Sequence, residues 1–143
     1  MQVVVLNGAN LDVLAGRDPD LYGGISLSEL ETRIYEWASE LAMSVRCRQS
    51  NSEGVLVDWI QEAGEKAQGV VLNAGAYTHT SIAIHDAIRA VAPLPVVEVH
   101  LSNIHAREPF RHVSKVAPHA LGMICGFGPL GYTLPLQALV ARI

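Results

Sequence analysis

The chain has 143 residues, of which 50% are hydrophobic and 17% charged, and its net charge is −4. That length suits one domain with a real core, and that balance excludes a disordered chain. Its scattered basic residues exclude the electrostatic footprint of a nucleic-acid binder, and no apolar run approaches the ~18 residues of a membrane span. The start, "MQVVVLNGAN", enters a strand rather than a signal sequence, so the expectation is a cytoplasmic protein. A mean hydropathy of +0.25 points to apolar area buried between subunits.

In chain order, "VVVLN" (residues 3–7) is a β-branched run closed by turn residues and predicts a buried strand. Residues 8–24 follow as a long loop, and loops of that length are functional more often than incidental. "SLSE" (residues 26–29) fits a capping box, in which Ser26 and Glu29 satisfy opposite backbone donors. The predicted helix runs to about Ala42, with Leu27, Leu30, Ile34, Trp37, Ala38 and Leu41 on one face. "SVRCRQ" predicts a second strand, and "SEGVLVDWIQEAGEK" a second helix with Leu56, Ile60 and Ala63 at helical spacing. "GVVLNA" (residues 69–74) is apolar throughout, as a strand covered on both faces is. "TSIAIHDAIRAV" predicts a helix ended before "PLP", "PVVEVH" a fourth strand and "LGMICG" a fifth. "GPLGYTLPLQALVAR" predicts a last helix, broken or shifted by Pro135.

Strands and helices therefore alternate, which predicts one α/β domain over residues 1–143. The expected fold is flavodoxin-like: a five-stranded parallel sheet with helices on both faces. Sites in such sheets lie beyond the carboxyl ends of the strands. Cys47 and Cys125 fall in predicted strands and are expected as buried free thiols. "GFGPLG" (residues 126–131) matches a dinucleotide fingerprint only in outline. No Asp or Glu occurs after Glu108 to hold a ribose, so these glycines are read as a tight strand-to-helix turn.

The strand ends carry the chemistry. Asn7 and Asn10 in "NGAN" either cap the turn or orient a substrate or a water. Asn73 ends the third strand, with His79, Thr80 and Ser81 after it. Thr78 or Thr80 is expected to cap the next helix, or the group forms a polar shelf for a carboxylate or hydroxyls. "EVHLSN" alternates Glu98, His100 and Ser102 on a strand otherwise built from Val and Leu. A buried carboxylate needs a partner, and a Glu at i−2 can set the tautomer of His100 and prepare it as a general acid. A structural histidine is the other reading. Arg107 and Arg111, four apart in "HAREPFRH", either grip a carboxylate or make ordinary surface pairs. The six histidines show no metal-ligand spacing, and no nucleophile elbow is present.

With "NGANL", "GRDPDLYG", "RQSNSEG", "NAGAYTHTS", "HDA" and "EVHLSNIHAREPFRHVS" in order, the whole chain resembles the type II 3-dehydroquinate dehydratases. The resemblance implies a lyase that eliminates water in anti fashion from 3-dehydroquinate to give 3-dehydroshikimate. The same reaction serves aromatic amino-acid biosynthesis in the shikimate pathway and quinate breakdown. It implies no cofactor or metal, and a homododecamer of four trimers. Tyr22 matches the family's general base, and Arg17 the neighbouring arginine on a mobile lid over about residues 8–24. A free phenol ionises near ~10, and an adjacent guanidinium favours the ionised form. By position, Asn10 holds a water against the developing enolate and His100, oriented by Glu98, protonates the departing hydroxyl. Asn73, His79 and Arg111 bind substrate hydroxyls, Leu101 and Ser102 receive its carboxylate, and Asp86 reaches a neighbouring subunit's site. The first loop departs from the family's usual N-G-P-N-L-N-L-L-G at Ala9, Asp12, Val13 and Ala15. Asp12 in particular places a negative charge at the base of the lid.

Overall fold

A computed structural model describes residues 1–142 of the chain; Ile143, the end of the predicted domain, lies outside the described residues. Five strands form the sheet: β1 (Gln2–Asn7), β2 (Ser44–Gln49), β3 (Gly69–Asn73), β4 (Val96–His100) and β5 (Gly122–Cys125). Their order is β2-β1-β3-β4-β5 and every pairing is parallel. This is the flavodoxin-like arrangement, and its order reverses between β1 and β3. β3 and β4 are buried at every position, as strands covered on both faces are, and the alternation of Glu98 and His100 on β4 is therefore not one of buried and exposed faces. β2 lies at the edge, and its Ser44, Arg46 and Arg48 tolerate that place.

The helices are α1 (Pro19–Tyr22), α2 (Leu27–Glu40), α3 (Glu53–Lys66), α4 (Ile82–Ala90) and α5 (Thr133–Val140). On one face of the sheet, Leu30, Ile34 and Ala38 of α2 and Leu136 and Leu139 of α5 pack on Val3, Val5, Val71, Val97 and Val99. On the other, Leu56, Ile60 and Ala63 of α3 and Ile84, Ala87 and Ile88 of α4 pack on Leu6, Val70, Leu72 and Val96. Alternate residues of β1 and β3 thus feed opposite layers.

Several local expectations change. Of the capping box, the Ser26 bond is present: its Oγ accepts from the Glu29 N–H at 3.1 Å. α4 is capped by Ser81, whose Oγ accepts from Ile84 N–H at 2.9 Å, and not by Thr78 or Thr80. A 3-10 turn over Gly75–His79 separates those threonines from the helix start. Pro135 stands in the first turn of α5, where a backbone N–H has no partner within the helix, and a 3-10 turn (Gly128–Tyr132) takes up the residues before it. Both cysteines are free but half-buried rather than fully enclosed. Residues 8–24 hold a 3-10 segment (Leu11–Gly16) and α1, anchored through Leu11, Leu14 and Tyr22.

Candidate active site

A cavity of about 120 Å³ opens beyond the carboxyl ends of β1, β3 and β4, at the point where the strand order reverses. Its wall includes Asn10, Arg17 and Tyr22 from the segment after β1, and Asn73, Gly75 and His79 from the end of β3 onward. His100, Leu101, Ser102, Arg107 and Arg111 complete it from β4 and the turns that follow. Arg17, Arg107 and Arg111 reach this wall while no carboxylate does. The cavity is therefore built for a small polar anion.

Tyr22 reaches the wall because α1 is a single turn started by Asp18, whose carboxylate accepts from Asp20 N–H at 2.9 Å, with Pro19 at its first position. Gly23 ends the turn at φ +87°, and a Cβ there would stand 2.8 Å from Pro129 Cδ. Tyr22 is 9% exposed. Arg17 Nη2 donates to its hydroxyl oxygen at 2.6 Å, and the guanidinium carbon lies 3.7 Å from the ring centroid. A second guanidinium, that of Arg107, stands 5.5 Å from the same centroid and donates to Ser102 Oγ at 3.2 Å. Positive charge is thus concentrated around one phenol.

The opposite partners rest on β4. Glu98 is fully buried beneath the wall, in register with Leu72, and His100 follows it at 5% exposure. His100 Nε2 lies 2.6 Å from Glu98 Oε2. The carboxylate also accepts from Thr78 Oγ1 at 3.0 Å and from Ser114 Oγ at 2.7 Å. A buried charge supplied with this many donors is tolerable where a bare one is not. Across the cavity, His79 Nδ1 donates to the Val113 carbonyl at 2.9 Å. Burial pushes its imidazole below the ordinary value, only partly opposed by that bond. His79 and His100 stack with centroids 6.4 Å apart.

Under the other face, Asn7 and Asn73 stand side by side at the tips of β1 and β3. Tyr132, wholly buried, bridges them. Its hydroxyl donates to Asn7 Oδ1 at 2.6 Å and accepts from Asn73 Nδ2 at 2.8 Å. Asn73 Oδ1 accepts from Gly75 N–H at 3.1 Å, so the Asn73 amide has one orientation. Burial pushes the Tyr132 phenol well above its usual range.

Ten of the residues singled out by sequence stand on this wall: Asn10, Arg17, Tyr22, Asn73, His79, His100, Leu101, Ser102, Arg107 and Arg111. Glu98 does not; its carboxylate meets His100 Nε2 beneath the wall. Asp86 is exposed on α4, away from the cavity. Asp12 is also absent from the wall, its carboxylate taken up by the Asn51 amide at 3.1 Å. Thr78, Ser114 and Tyr132 are the partners that sequence reasoning missed. Ser114 ends the quoted run "EVHLSNIHAREPFRHVS", and a buried glutamate on a strand was itself the signal that further donors must exist. His105 and His112 pair with each other at 6.2 Å rather than with His100. Among the described residues no helix is long and apolar enough to cross a membrane.

The family model described as dehydroquinase class II matches residues 1–140. The 3-dehydroquinate dehydratase of Mesorhizobium japonicum is 66% identical over 141 residues, covering 99% of this chain and 98% of that one. That of a Chelativorans species is 63% identical over 141 residues, covering 99% and 97%. Among solved structures, the type II dehydroquinase of Butyrivibrio crossotus superposes with a TM-score of 0.95 at 41% identity, covering 97% of each chain.

Proposed function

This chain belongs to the class II dehydroquinase family and has the dehydratase activity of that family; from that premise we propose that elimination runs through an enolate, with Tyr22 as base and His100 as acid. The substrate's acidic hydrogen lies on carbon next to a ketone, so the base must be strong and yet ionised near neutrality. Ionised Tyr22, held against the Arg17 guanidinium, takes that proton, and its electrons pass to the ketone oxygen as an enolate. A water held by Asn10 stabilises the oxyanion, a contribution of roughly 3 kcal/mol. Collapse of the enolate expels the hydroxyl on the neighbouring carbon. His100, donating its proton, lets the hydroxyl leave as water. One proton is taken and one is given, so the sum is the enone and one water.

Asn73, His79 and Arg111 bind the substrate's hydroxyls, and the Leu101–Ser102 backbone receives its carboxylate. The 8–24 segment works as a lid that carries Arg17 and Tyr22 over the bound substrate and excludes water. The working assembly is a cytoplasmic dodecamer of four trimers in which Asp86 contributes to a neighbour's site. Ile82, one turn before Asp86 on α4, is 65% exposed, and an apolar side chain so placed supports a subunit contact there.

The observation that carries the reading is the 2.6 Å bond from Arg17 to Tyr22 on the cavity wall. The test follows the ultraviolet absorbance of the conjugated enone when 3-dehydroquinate is added to chelator-treated enzyme. Wild type gives a growing band. Tyr22→Phe, which keeps the ring and deletes the base, lowers kcat by at least about 100-fold. A Tyr22→Phe enzyme at wild-type rate would remove Tyr22 from the base's role.

A further inference from the structure

The segment after Arg111 meets His79 directly and reaches His100 through Glu98. Val113 accepts from His79 Nδ1, Lys115 N–H donates to the Thr78 carbonyl at 2.7 Å, and Ser114 lies against Glu98. Ser114 Oγ is fully committed. It accepts from Val116 N–H at 3.1 Å and from Ala117 N–H at 3.0 Å, which occupies both its lone pairs. Its single hydrogen is left to point at Glu98, whose two oxygens lie 2.7 and 2.9 Å away. Thr78 directs its own hydrogen to Glu98 Oε2. Both hydroxyls therefore treat the carboxylate as acceptor only, and the group at His100 Nε2 must be an N–H.

We propose that Ser114 is a positioning residue for the reaction: by fixing the Glu98 carboxylate as an acceptor, it keeps the Nε2–H of His100 on Glu98 and turns Nδ1 to the cavity, where the Nδ1–H of the imidazolium is the proton the acid gives. Ser114 does not stand on the cavity wall, so it acts through Glu98 and never touches substrate. The inference rests on His100 being the acid. Without the Ser114 hydrogen, Glu98 Oε1 loses the only side-chain donor it has among the described residues. The carboxylate is then free to turn, and the ring held by it loses its single orientation.

The experiment compares wild type, Ser114→Ala and Ser114→Thr by steady-state kinetics with 3-dehydroquinate and by imidazole nitrogen-15 shifts in histidine-labelled protein. Ser114→Ala lowers kcat about tenfold, equivalent to about 1.4 kcal/mol, while KM stays within about twofold. In the neutral imidazole left after that proton is given, the two His100 nitrogens, distinct in wild type, move toward a mixture of tautomers in Ser114→Ala. Ser114→Thr restores the hydroxyl, the wild-type shifts and kcat to within about threefold. Ser114→Ala with wild-type kcat, or with unchanged His100 shifts, overturns the proposal. If Ser114→Ala does not fold, Thr78→Val, which deletes the other hydroxyl on Glu98 at nearly constant volume, carries the same expectation. A wild type that forms no enone would instead sink the functional reading, and the nitrogen shifts would still decide the role of Ser114.

Discussion

Removing one oxygen atom from Tyr132 should expose how far the cavity depends on the layer beneath it. In Tyr132→Phe the ring still fills its place against Val99 and Leu136, whereas Asn7 Oδ1 and Asn73 Nδ2 each lose the partner they reach at 2.6 and 2.8 Å. Among the described residues Asn7 Nδ2 already has no partner, so the Asn7 side-chain amide would be left without one at either end. Each buried group stranded in this way costs about 1–3 kcal/mol. Two such groups, with some relaxation of the amides, give a loss of about 3 kcal/mol. For a domain of this size that corresponds to a fall in Tm of about 10 °C. Calorimetry at one fixed protein concentration measures it, since subunit association adds to apparent stability. The freed Asn73 amide should also raise KM for 3-dehydroquinate by several-fold, about fivefold, while kcat changes less. Pairing the change with Asn7→Leu sharpens the test: replacing both partners by apolar groups costs less than the sum of the single changes. A Tm within about 2 °C of wild type, or strict additivity in the double variant, would refute the account of Tyr132 as the buried bridge.

Cys47 supplies a second check, because burial pushes its thiol up to about 12. At pH 8 only about one molecule in ten thousand carries the thiolate, so N-ethylmaleimide should spare Cys47 in native enzyme and label it after denaturation; rapid native labelling, mapped by mass spectrometry, would contradict the burial. His79 gives a pH dependence. Its imidazole is held below the ordinary value of 6.5, so the unfolded chain takes up this proton first as pH falls. Stability contributed by neutral His79 is therefore present above that value and lost as pH drops below it, and the change in urea midpoint between pH 7.5 and 5.5 should be smaller in His79→Asn than in wild type. Gly23→Ala tests the end of α1. A methyl group there meets Pro129 at a φ of +87°, which should cost about 1 kcal/mol or more and lower kcat/KM by pulling Tyr22 from its place; unchanged kinetics would mean that the turn adjusts freely.

The layers were legible because each element carries its own period. The valine-rich "GVVLN" and "VVEVH" read as central strands, and Leu30, Ile34 and Ala38 mark a helix face without reference to the rest of the chain. The wall of the cavity was legible for a different reason: in a doubly wound sheet, polar residues at strand tips have one place to go. What could not be read were bonds between segments distant in sequence. Tyr132 joins Asn7 across 125 positions, and Thr78 meets Glu98 across 20. No local pattern encodes such a contact, only the general demand that a buried polar group have a partner. The helical content of residues 8–24 was hidden because its turns are too short to show a period, and the cap of α4 was misassigned because three adjacent hydroxyls offered equal signals.

The same distant bonds explain how an acidic protein presents a cationic cavity. The net charge is −4, yet the wall carries Arg17, Arg107 and Arg111 and no carboxylate. The acids nearest to it are each engaged. Glu98 is sealed beneath His100 and fed by two hydroxyls, Asp12 is turned to Asn51, and Glu108 accepts from Arg111 Nε at 2.7 Å. Glu108 is held below the usual carboxylate range by its own backbone N–H and then by Arg111, and it leaves the rest of that guanidinium to the cavity. Binding an anion therefore requires no local excess of basic residues. It requires that every neighbouring acid already have a donor, and in this chain those donors are supplied from the segments that follow each strand.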